Sequence, residues 1–160
     1  ATRYVDELVS VTHPVSLSYT IDPNSASPFT APELPITNNS TVPIRVSVLN
    51  LSSAAGGSVR MNDVLPSQYA DWSRLTAAQT KSDIALGLSV KETAAGGGTW
   101  SEIDRTGPLY AAAVSGKTPL GVLNPNGAVG ALTLTAKYGL AWDKAYTSVH
   151  SLSLYFELTD

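Results

Sequence analysis

Ser151-Leu152-Ser153-Leu154-Tyr155-Phe156-Glu157-Leu158 alternates without a break: the apolar residues Leu152, Leu154, Phe156 and Leu158 share one parity. Ser151, Ser153, Tyr155 and Glu157 share the other. Successive side chains of an extended strand point to opposite faces, so the stretch reads as a strand with one buried and one wet side. A helix would scatter the same leucines around its axis. The pattern recurs upstream. Val9, Val11, Val15, Leu17, Tyr19 and Ile21 sit at odd positions with Ser or Thr between most of them. Pro14 interrupts that run and, lacking an N–H, marks a break, a bulge or an edge. Leu34 and Ile36 form a short strand, and Val42, Ile44, Val46 and Val48 a longer one. The apolar parity slips at Leu49 and Leu51, which places a β-bulge near Val48.

Further along, Ile84, Leu86, Leu88 and Val90 alternate, then Ala94 to Gly98 reads as a hairpin tip with Trp100 to Ile103 as the returning strand. Leu120 and Val122 lead into Asn124-Pro125-Asn126-Gly127, a turn whose Asn-Gly pair favours positive φ. Leu132, Leu134, Ala136 and Tyr138 follow. Pro66 to Trp72 and Thr76 to Gln79 read as single helical turns, and Tyr110 to Val114 as a short strand or a helical turn. Seven to nine strands with two loop-rich insertions and no repeat or linker make residues 1–160 one all-β domain. The expected architecture is an antiparallel β-sandwich of Ig-like or jelly-roll type, with short helical turns in its loops.

Composition agrees. Of 160 residues, only 14% are charged, while Ser and Thr contribute 19 and 16 copies. Ser and Thr are poor in helix interiors, and Thr suits a half-exposed strand. A net charge of −3 speaks against nucleic acid, which calls for a concentrated basic stripe. No apolar run approaches the roughly 20 residues of a helical membrane span. The absence of cysteine removes disulfides, thiol nucleophiles and thiolate metal sites together. Ala1 in first position, with no initiator Met, fits a mature secreted chain after signal-peptide removal. The low-charge Ser/Thr surface points the same way, to an extracellular or cell-surface location.

Enzyme chemistry finds little to build on. His13 and His150 are the only histidines, both beside Ser or Thr in strand-like segments, and read as ordinary histidines on polar strand faces. No Gly-x-Ser-x-Gly elbow, His-x-His pair or Asp-x-Asp-x-Asp loop is present. The expectation is no enzyme, no cofactor and no metal. Trp72, Trp100 and Trp142 are candidate sugar-stacking residues; large aromatics that plug the ends of a sandwich are the commoner alternative.

The N-terminus carries the better clue. Tyr4, Val5, Leu8, Val9 and Val11 are apolar, where a free terminus is normally polar. Residues 1–12 either complete their own sheet or act as a donor strand that adds to the sheet of a neighbouring copy. Head-to-tail addition does not close, so it builds a filament.

Several stretches resemble a family. Val11-Thr12-His13-Pro14-Val15-Ser16-Leu17, Tyr19-Thr20-Ile21-Asp22-Pro23-Asn24, Ile36-Thr37-Asn38-Asn39-Ser40 and Trp142-Asp143-Lys144-Ala145-Tyr146 look like secreted Gram-positive (Firmicutes) cell-surface β-sandwich proteins of WxL-like type. That resemblance implies a non-enzymatic surface role. The leading expectation is therefore a structural subunit of an extracellular bacterial, pilus-like homopolymer assembled by donor-strand exchange. The alternatives are a monomeric cell-wall- or carbohydrate-binding module and a virion surface protein.

Overall fold

In the computed structural model, which describes residues 9–91 and 99–159, prolines decide where the chain changes sheet. β1 (Val11–Thr12) pairs antiparallel with β4 (Leu34–Asn38), setting Val11 against Asn38 and Thr12 against Thr37. Two residues further, that register would oppose Pro14 and Pro35, and neither has an N–H to give. The chain crosses instead to the other sheet and continues as β2 (Ser16–Ile21). The same logic ends β3 (Phe29–Thr30). It pairs with β2 through Thr20–Thr30, and its next pairing position would bring Pro32 against Ser18.

Twelve strand segments form two six-stranded sheets. The remaining segments are β5 (Ile44–Ala54), β6 (Asn62–Asp63), β7 (Asp83–Lys91), β8 (Trp100–Ile103), β9 (Leu109–Tyr110), β10 (Thr118–Leu123), β11 (Ala128–Tyr138) and β12 (Tyr146–Leu158). One sheet runs β1-β4-β11-β7-β6, with β9 also on β7; the other runs β3-β2-β12-β5-β10-β8. All pairings are antiparallel except the two-residue contact of β6 with β7. One buried cluster lies between the sheets. Leu17, Tyr19, Val46, Val48, Leu120 and Leu152 come from one side, and Ile36, Ile84, Leu86, Leu88 and Leu132 from the other. The fold is all-β and sandwich-like.

Strand parity sets the details. Ser153 faces Asn50 and Leu154 faces Val48, so Leu49 is the extra residue of a bulge and turns outward, 41% exposed. That is the parity slip seen in the sequence. Asn126 and Gly127 adopt φ of 64° and 87°, the left-handed turn that their pair favours. Pro66–Gln68 and Trp72–Arg74 are 3-10 turns. The six-residue α1 (Ala77–Ser82) opens on a capping box: the Gln79 N–H donates to Thr76 Oγ1, and the Thr76 N–H to Gln79 Oε1. Leu109–Tyr110 is a strand followed by a 3-10 turn over Ala111–Ala113.

One expectation is corrected. The strand at Trp100–Ile103 does not return along β7; it pairs with β10, in the opposite sheet. Alternation identifies a strand but not its partner, and the tip at Ala94 to Gly98 lies outside the described residues. Trp100 supplies the physical reason for the placement. A Cβ added to Gly130 in β11 would lie 2.6 Å from its indole, and one on Gly121 in β10 would lie 3.1 Å away. The ring therefore wedges between the two sheets over a pair of glycines.

Candidate functional site

Asn38 builds the end of the sandwich that holds Ser10 and the start of β1. Its buried carboxamide donates to the carbonyls of Val42, Leu123 and Asn124 at 3.0, 3.2 and 3.1 Å and accepts from Ser40 N at 2.9 Å. It thereby ties the β4–β5 turn to the β10–β11 turn. The N-terminal strand hangs on this frame. Ser10 N donates to Ser40 Oγ at 2.9 Å, and Asn39 N donates to Ser10 O at 2.8 Å.

Of the candidate donor-strand residues, Val11 pairs within its own sheet and packs against the core, and Val9 is 43% exposed. Tyr4, Val5 and Leu8 lie outside the described residues. Val11 thus has the self-completing role in this chain, and any donor function falls to the residues before Ser10.

The three tryptophans sit at both ends of the sandwich. Trp142 is buried, donates from Nε1 to Gly139 O at 2.7 Å and tilts against Tyr146. Trp72 is half-buried, donates from Nε1 to Pro66 O at 2.9 Å and meets Tyr69 edge-on. Leu75, next to the Trp72 turn, packs on Gly139, so these two share an end. Trp100 rests on Gly130, eight residues up β11 from Tyr138, or roughly 27 Å at about 3.4 Å per residue. The structure brings two of the three together and keeps the third apart.

Around Tyr146 the charges are organised. Its hydroxyl donates to Asp143 Oδ1 at 2.7 Å, Lys81 pairs with the same oxygen at 3.1 Å, and Lys81 and Lys144 flank the ring. The Tyr146 hydrogen bond, with help from Lys81, holds the Asp143 carboxyl down at about 2.

Reading the sequence missed a polar cluster inside the sandwich. His150 is fully buried, and its Nε2 lies 2.6 Å from Asp63 Oδ1, while Asp63 Oδ2 accepts from Ser53 N at 2.9 Å. One carboxylate thus bridges β6 of one sheet to β5 and β12 of the other. This corrects the view of His150 as a polar-face residue. Its parity is that of Leu152 and Leu154, a signal that was available in the sequence. Tyr19 lies opposite Ser148 and tilts against His150, and burial pushes its hydroxyl up to about 12. Tyr19 Oη, Ser148 Oγ and His150 Nδ1 are buried without a well-directed partner. Ser148 and His150 are not hydrogen-bonded to one another, and Ser148 is 1% exposed, so the set has neither the nucleophile–base contact nor the access of a hydrolytic triad.

Among the described residues no group of three or more His, Asp or Glu is placed to hold a metal ion, and no helix is long and apolar enough to cross a membrane. Comparison with protein-family models, with curated proteins and with solved structures returns no match for this chain.

Proposed function

We propose that this chain is a structural subunit of an extracellular filament, assembled by addition of its N-terminal segment to the sheet of the next copy. The observation that carries the reading is the short hold on the N-terminal strand. Among the described residues the N-terminal strand pairs with the body at Val11 and Thr12, with Ser10 bonded to Asn39 and Ser40, before prolines on both strands end the ladder. The apolar Tyr4, Val5 and Leu8 stand immediately upstream. The low charge, the Ser/Thr-rich surface and the resemblance to Gram-positive surface proteins support an extracellular setting.

The test is removal of residues 1–8, which leaves β1 and all the core residues described above in the chain. The truncated chain should keep its far-ultraviolet circular dichroism and melting temperature but sediment as a monomer at concentrations where the full chain polymerises. Polymerisation of the truncated chain at the same concentration would contradict the proposal. A glycan-binding role has narrower support, since Trp142 is buried and Trp100 is held between the sheets.

A further inference from the structure

Resting on that reading, we infer that the acceptor for the added strand is the outer edge of β2 at Ser16 and Ser18. The direction of each main-chain group on β2 follows from one bond: Leu152 N donates to Val15 O at 2.9 Å. In an antiparallel ladder alternate residues turn their N–H and C=O to opposite sides. Val15, Leu17, Tyr19 and Ile21 therefore serve β12, while Ser16, Ser18 and Thr20 face outward. Thr20 is taken by Thr30 of β3. Ser18 would meet Pro32, which has no N–H, and the chain leaves there for β4. Among the described residues no strand other than β12 pairs with β2 at Ser16 or Ser18, and both residues are exposed. Two N–H and two C=O groups there have no strand partner among the described residues.

Several other edges among the described residues are blunted in ways that proteins use against stray pairing. The free side of β4 presents Pro35. β8 carries Glu102, held by Arg45 at 2.9 Å, and its ladder with β10 is broken by a register shift. β1, β3, β6 and β9 are two residues long. The residues across the adjacent strands from Ser16 and Ser18 carry no charge: Thr147, Val149, Ser151, Ser52 and Ala54.

The occupant that fits is the segment 1–8 of a second copy. Ser10, which follows that segment, lies beside Asn39 and Ser40, at the end where β5 begins. Ser16 and Ser18 lie level with Ser52 and Ala54, at the far end of β5. Exit and acceptor at opposite ends give head-to-tail addition, which propagates rather than closes.

The experiment mixes two full-length-fold variants. Ser18→Pro keeps the donor and removes an outward N–H that the fold does not use; deletion of 1–8 keeps the acceptor and removes the donor. Each alone should be monomeric, with the critical concentration for assembly raised at least about tenfold, and an equimolar mixture should stop at a heterodimer by analytical ultracentrifugation. Ser18→Lys, which leaves the backbone free to pair but charges the edge, decides the matter if Ser18→Pro loses its fold. Normal polymerisation of the folded Ser18 variants, beside a monomeric truncation, would overturn the acceptor assignment and leave the donor reading standing. Polymerisation of the truncation would overturn both.

Discussion

Asp63 is a small residue with a large span: it joins two strands of one sheet to an edge of the other through His150 and the Ser53 N–H. Asp63→Ala strands a buried imidazole and a main-chain donor, and should cost about 2–4 kcal/mol in chemical denaturation. Tyr19 predicts the opposite. Its hydroxyl is buried without a well-directed partner, so Tyr19→Phe should change stability by less than about 1 kcal/mol at pH 7. The hydroxyl titrates near 10 when unfolded but about 12 when folded. Stability is therefore intact below pH 10 and falls as pH rises from 10 through 12, because only the unfolded chain releases that proton. Tyr19→Phe should lose less stability over that window. Asp143 has the reverse sign. Its carboxyl drops from 3.8 to about 2 on folding, so its contribution is full above pH 3.8 and is lost as pH falls toward 2. The melting temperatures of the wild type and Asp143→Asn should converge at pH 2 and separate at pH 5.

At the scale of elements, what the sequence made legible and what it hid separate along one line. Parity is local, so β2, β5, β11 and β12 and the bulge at Leu49 could be read from the residues alone. Partnership is not local. Nothing around Trp100 says that it crosses to β10, because the glycines that receive it, Gly121 and Gly130, are twenty-one and thirty residues away. The Thr76–Gln79 capping box was legible by its spacing, whereas the Asp63–His150 bridge spans 87 residues and only the parity of His150 hinted at burial. The Trp100 wedge can be tested directly. Gly130→Ala places a methyl within 2.6 Å of the indole and should destabilise by about 1–3 kcal/mol. Combined with Trp100→Ala, the same substitution should cost less than the sum of the two, since the clash is gone.

For the whole molecule, the prolines that divide the strands between sheets also leave the pattern of edges uneven. Pro14 and Pro35 shorten β1, Pro32 ends β3, and Ser16 and Ser18 have no outer strand partner among the described residues. With no cysteine in the chain, a polymer of this subunit would be held by strand pairing and apolar packing rather than by disulfides. Such a polymer should be insensitive to reducing agents and dissolve in denaturant. The most direct test is negative-stain electron microscopy of the purified full chain across a concentration series. Filaments one subunit wide that lengthen with concentration are the predicted result; monodisperse single particles at every concentration, or closed shells, would contradict the account.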